Sequence, residues 1–169
     1  YGVTVTPLQT LTLYNAVANN GIMVKPEFMD ALMKDGKMVK KYSTQVINPA
    51  VCSATTLKKL RKLLEGVVLH GTAKNLANAV YTIAGKTGTA HIAVKGAYNK
   101  TNYQASFVGY FPANDPQYSC IVVVNSPSTD GYYGNQAAGP VFKEIADKVY
   151  ASSIGIDPAV NVPANNGKR

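Results

Sequence analysis

The alternation of apolar and polar positions divides the chain into helices and strands in a readable order. In TPLQTLTLYNAVANNG (residues 6–21), Leu8, Leu11, Tyr14/Asn15 and Ala18 recur at helical spacing. Thr6 stands at the cap position, Pro7 at the first helical position and Gly21 past the end, so a helix is predicted over about 7–19. FMDALMKDGKMVKKY (28–42) places Asp35-Gly36 between two short alternating runs, which predicts a hairpin. Ser53 caps a second predicted helix running to about Leu69, with Leu57, Leu60, Leu64 and Val67/Val68 on one stripe. Gly71-Thr72 breaks it and is expected to cap a short helix in AKNLANA (73–79).

The second half reads mostly as β-structure. VYTIAGKTGTAHIA (80–93) mixes β-branched and small residues and predicts a strand, followed by a polar connection over 95–102 that forms a loop or hairpin end. ASFVGYFPA (105–113) and QYSCIVVVNSP (117–127) are the clearest strands, joined by the turn ANDP and expected to pair antiparallel. TDGYYGNQA (129–137) predicts a loop exposing Tyr132 and Tyr133. GPVFKEIADKVYAS (139–152) predicts a helix with Val141, Ile145 and Val149 on its stripe. The tail 154–169 is rich in Pro and Asn and is expected to pack poorly. This order predicts an α+β fold of the α/β three-layer type, an antiparallel sheet flanked by helices.

Composition narrows the class. With 46% hydrophobic and 15% charged residues over 169 positions, the chain suits one globular core. No apolar run approaches the ~20 residues of a membrane span. It opens on Tyr1 rather than Met and reads as a piece of something longer, so an anchor or export signal is expected upstream. The net charge of +8 is uneven, with residues 51–104 carrying eight Lys/Arg against the single Glu65. A basic middle attracts a carboxylate substrate or an anionic polymer; equally, LKKLRKLLE (57–65) is an amphipathic helix with a solvated lysine face. No interleaving of aromatic and basic residues supports nucleic-acid stacking, so no nucleic-acid partner is expected. Cys52 and Cys120 form neither a metal-binding spacing nor a disulfide framework, and Cys120 in YSCIVVV is expected to be a small core residue. No metal or cofactor is expected.

The chemistry concentrates in IAGKTGTAHIA (83–93). Gly85-Lys86-Thr87 matches the end of a phosphate-binding loop, but that motif needs a glycine at position 80, where Val80 stands. No helix signature comes after it either. On a strand, alternation puts Thr87 and Thr89 on one face and Lys86 and Gly88 on the other. Two hydroxyls beside a lysine that reaches round the edge suit a carboxylate. Gly88 has no side chain, so a ligand or a neighbouring helix approaches the backbone closely. An edge strand also offers free N–H groups to an extended peptide or an oxyanion. The plainer reading is an ordinary edge strand whose lysine guards against aggregation.

Residues 1–153 resemble the C-terminal portion of a penicillin-binding transpeptidase domain, and 154–169 are a tail. The resemblance is carried in order by VTPLQTLTLYNAVANNG, EGVVLHGTAKNL, GKTGTA, ASFVGYFP, YSCIVVVNSP and AAGPVFKEIADKVYA. It is nearest to class B enzymes of cell division or elongation, with the division type favoured. It implies a partial β-lactamase/transpeptidase-like domain. The parent would be a peptidoglycan D,D-transpeptidase that cross-links stem peptides through a serine acyl-enzyme and binds penicillin. Lys86 would help proton transfer beside the nucleophile. The Thr87 and Thr89 hydroxyls would hold the carboxylate of a D-Ala-D-Ala stem peptide or a β-lactam, with Gly88 between them and the Thr89 amide donating to the oxyanion. The resemblance also implies division or elongation proteins as partners, and a place on the periplasmic face of the bacterial inner membrane, anchored by an upstream segment.

The family also needs Ser-x-x-Lys and Ser-x-Asn motifs. None of the serines at 43, 53, 106, 119, 126, 128, 152 and 153 has Lys three residues on or Asn two residues on. The chain by itself is therefore expected to be inactive. His70 and His91 are lone histidines, and His91 is expected to be a surface strand residue without a Ser or Asp partner. In the family the strand at 117–126 pairs with one near the domain start, so its apolar edge is expected to be unpaired and to favour a dimer. Two rivals share the motif or the charge: a serine β-lactamase or β-lactam sensor, and a non-catalytic basic binding module.

Overall fold

The computed structural model describes residues 3–94, 97–127, 131 and 133–153. Tyr132, the start of the loop expected at 129–137 and the tail 154–169 lie outside them. Helix α1 (Pro7–Ala18) begins with a capping box: the Thr6 hydroxyl accepts from the Gln9 amide at 3.2 Å, and the Thr6 amide donates to Gln9 Oε1 at 2.8 Å. It ends where Asn20 and Gly21 take positive φ values of 52° and 85°. Short strands β1 (Met23–Val24) and β4 (Val46–Asn48) pair with each other and enclose the hairpin β2 (Ala31–Lys34) and β3 (Lys37–Lys41). Asp35 and Gly36, at φ 50° and 74°, turn that hairpin as its Asp-Gly pair predicts.

Helix α2 (Ala54–Leu69), capped by Ser53, leads through a 3-10 turn (Lys74–Leu76) to an antiparallel sheet. Its strands β5 (Ala84–Val94), β6 (Ala97–Phe111) and β7 (Tyr118–Asn125) lie in the order β5-β6-β7, so β5 and β7 are its edges. A short helix α3 (Gly134–Ala137) and the long α4 (Gly139–Ser153) close the described chain.

Alternation along β6 divides the core in two. Phe107 and Phe111 point to one face, where Phe142 of α4 meets their rings edge-on at 4.7 and 5.8 Å, with Val68, Leu76, Ile83 and Ala146 around them. Tyr110 points to the other face and packs with Ala84, Val17 of α1 and Leu57 and Leu64 of α2. Helices thus flank the sheet on both sides, as the three-layer expectation requires. Arg61, from the stretch read as a solvated basic face, donates to the Val17 and Ala18 carbonyls at 2.9 and 2.6 Å. It satisfies carbonyls that α1 leaves open at its end, where a cation is favoured.

Several expectations are corrected. The strand expected from residue 80 begins at Ala84, because the Asn78 side chain accepts from the Val80 amide at 2.8 Å and turns the chain there. The polar connection is largely strand, since β6 starts at Ala97. Residues 134–137, expected as loop, form α3. On α4 the buried positions are Gly139, Phe142 and Ala146, while Val141 and Ile145 are exposed. The Phe142 ring fills the space between Phe107 and Phe111, and this turns Val141 and Ile145 towards solvent, while Val149, the third residue of the predicted stripe, packs against the core. Cys120 is half-buried against the first core rather than fully enclosed, and burial raises its thiol pKa.

Candidate functional site

The site is built on the free edge of β5. Its register against β6 sets Lys86 opposite Val108, Thr87 opposite Phe107, Gly88 opposite Ser106 and Thr89 opposite Ala105. Thr87 and Thr89 therefore share the face of Phe107, and Lys86 and Gly88 take the other. Lys86 is exposed, and its ammonium curls round the strand edge to donate to the Thr87 carbonyl at 2.9 Å, with the Thr87 hydroxyl at 3.5 Å. Among the described residues the ion pairs, Lys143–Asp147 and Glu144–Lys148, both lie on α4, so no carboxylate neutralises Lys86.

The turn after α2 and the start of α3 converge on this edge. Thr72 does not cap the turn after α2; Ala73 takes the cap position without a side-chain bond. The Thr72 hydroxyl lies 3.0 Å from that of Thr87 instead. From the other side, the amide of Gly134, the first residue of α3, donates to the Thr89 hydroxyl at 3.3 Å. Gly134 sits flat on the sheet: a Cβ there would collide with the Ser106 carbonyl and meet Gly88 O at 2.8 Å. A neighbouring helix does approach the backbone at Gly88, and Gly134 is the residue whose missing side chain admits it. On the opposite face, a Cβ on Gly88 would run into the Ser106 hydroxyl. The Asn75 side chain donates to the Asn135 carbonyl at 2.7 Å and ties the 3-10 turn to α3.

Sequence reading missed Thr72 and Gly134. Gly71-Thr72 carries an ordinary cap signal, and no local pattern links it to a residue fifteen positions on. His91, expected at the surface, is half-buried, its ring tilted against Tyr103 at a centroid distance of 4.6 Å. Its Nδ1 is buried without a hydrogen-bond partner among the described residues. Tyr133 is about half exposed.

A sheet covered on both faces by helices is shared with solved penicillin-binding/β-lactamase-like folds. Penicillin-binding protein 3 of Mycobacterium tuberculosis, solved in complex with aztreonam, superposes with a TM-score of 0.77 at 30% identity, covering 92% of this chain and 37% of that one. Stage V sporulation protein D of Bacillus subtilis is 35% identical over 164 residues, which are 95% of this chain and 25% of the relative. The probable peptidoglycan D,D-transpeptidase PenA of Neisseria flavescens is 33% identical over 148 residues, 86% of this chain and 34% of the relative. The family described as penicillin binding protein transpeptidase domain matches residues 1–147. The chain belongs to this family, in its class B branch. It spans a quarter to a third of the length of these curated relatives.

Proposed function

We propose that this chain is the substrate-gripping part of a peptidoglycan D,D-transpeptidase that works through a serine acyl-enzyme and is inactivated by β-lactams. The observation that carries the reading is the edge of β5, where a cation without a carboxylate partner among the described residues and the Thr87 hydroxyl lie within 3.5 Å of each other. Such an edge suits a terminal carboxylate. Lys86 supplies charge and assists proton transfer at the nucleophile, Thr72 holds the Thr87 hydroxyl towards the ligand, and Thr89 shares the same face. Gly134 lies over the place where Gly88 N and O meet the Ser106 carbonyl, so Gly88 turns its backbone groups towards β6. Ladder bonds alternate along a strand, so the Thr89 amide faces the free edge and serves as an oxyanion donor. Neither Ser-x-x-Lys nor Ser-x-Asn occurs in the 169 residues, so the nucleophile comes from another part of the parent.

The parent acts on D-Ala-D-Ala stem peptides at the periplasmic face of the inner membrane, with division proteins as partners. Among the described residues no helix is long and apolar enough to cross a membrane, so the anchor belongs to another segment. In the isolated chain the outer edge of β7 has no partner strand among the described residues, and self-pairing there gives a dimer; a monodisperse monomer in light scattering contradicts this part.

Labelled penicillin tests the main reading. The parent is tagged covalently, and Lys86→Ala slows tagging by about 10² or more, on the scale of losing one oxyanion donor. The 169-residue chain alone is not tagged. Covalent tagging of that chain, or full-rate tagging of the Lys86→Ala parent, overturns the proposal.

A further inference from the structure

The hairpin β2–β3 plays no part in this chemistry. It forms a sheet of its own, and Leu32, Met33, Met38 and Val39 are each more than half exposed. Its register pairs Lys34 with Lys37, Met33 with Met38 and Leu32 with Lys40, the shift at Leu32/Met33 making Val39 an extra residue in β3. Opposed residues share a face. One face therefore carries Lys34, Lys37 and Lys40 around Leu32, and the other carries Met33 and Met38, with the Ala31–Lys41 pair at the base of the hairpin.

This arrangement is incomplete by itself. A lone two-stranded hairpin is marginal in water, and like charges directly opposed, as at Lys34 and Lys37, weaken it further. No ion pair among the described residues reaches these lysines; Lys40 lies over the Tyr42 ring at 4.7 Å. A bilayer fits poorly, because the tip Lys34-Asp35-Gly36-Lys37 would enter first with three charges. A second copy fits poorly too, since it would set lysines against lysines. The bulge at Val39 blunts the edge of β3, whereas β2 is regular.

We propose that the free edge of β2 docks an extended segment of a partner protein in which acidic and apolar residues alternate. Added as a third strand, its carboxylates meet Lys34 directly and Lys37 and Lys40 one strand away. Its apolar side chains extend the row of Met33 and Met38. The lysines that repel a second copy select this partner.

The probe is a synthetic eight-residue peptide of alternating Glu and Val, with its Lys/Val counterpart and a version N-methylated at alternate residues. The Glu/Val peptide binds the chain, more weakly as salt rises, and slows amide exchange across 31–34. Reversing Lys34, Lys37 and Lys40 to Glu weakens it at least about tenfold and admits the Lys/Val peptide. The N-methylated peptide does not bind. The proposal is overturned if the Glu/Val peptide fails to bind, if N-methylation or charge reversal leaves binding unchanged, or if only phosphatidylglycerol vesicles retain the chain. Hairpin-dependent self-association in sedimentation overturns it as well.

Discussion

Strands β5 and β2 are both lysine-bearing edges, yet they differ in what stands behind them. Behind β5 the Phe107 side chain is fully buried, and the glycines at 85, 109 and 134 lie so close to neighbouring backbone that no methyl group fits. Behind β2 there is little but solvent: Leu32, Met33 and Lys34 are exposed, on both faces of the hairpin. A group that must hold a carboxylate in one place needs the first kind of support, because small displacements cost rate. A strand that recruits a partner tolerates the second, because the partner supplies the missing packing. The packed edge thus suits positioning, and the unsupported edge suits recognition.

The largest expected effect comes from emptying the packed side. Phe107→Ala removes a ring packed on Phe142 and costs about 3–5 kcal/mol in denaturant unfolding. A loss below ~1 kcal/mol would show that β5 is not held from behind.

Two buried tyrosines separate packing from hydrogen bonding within that support. The Tyr81 hydroxyl donates to Asp147 at 2.6 Å, and that carboxylate also accepts from Asn78 and Lys143. Tyr81→Phe is expected to cost about 1–2 kcal/mol. The Tyr110 hydroxyl has no partner among the described residues, so Tyr110→Phe is expected to be neutral or stabilising by up to ~1 kcal/mol. Burial pushes the Tyr110 pKa up to about 12 from its ordinary 10.0. The folded state then holds its proton more tightly than the unfolded one. The resulting stability is fully present below about pH 10 and is lost as pH rises towards about 12. Burial, reinforced by the bond to Asp147, raises Tyr81 in the same sense. Alkaline unfolding should therefore be shallower in the Tyr81→Phe/Tyr110→Phe double variant; an unchanged slope between pH 10 and 12 excludes these groups as the cause.

The smallest effect belongs to the hairpin. Met38→Ala and Val39→Ala are expected to change stability by no more than ~0.5 kcal/mol, as for surface sites. A loss above ~1.5 kcal/mol in either would mean the hairpin is packed in solution and would erase the contrast.

Much of the fold was legible because its signals are local. The Thr6 cap, the Asp35-Gly36 turn and the leucine stripe of α2 each depend on residues within a turn or two of one another. The candidate site was half legible. Strand alternation alone put Thr87 with Thr89 and Lys86 with Gly88, because a period of two is a property of the backbone. The eight serines and their neighbours, read directly, supplied the expectation that the nucleophile lies elsewhere. Tertiary structure decided the rest. Thr72 left its cap role because folding α2 beside β5 brings its hydroxyl to Thr87, a meeting no spacing encodes. Gly134 became a site residue because only the packed sheet reveals that a side chain there would strike Ser106 and Gly88. On α4 the apolar stripe and the buried stripe diverged at Val141 and Ile145, though not at Val149, because the space between Phe107 and Phe111 suits one ring and chose Phe142. Sequence thus determined which way each side chain points along its own element; packing determined what it meets.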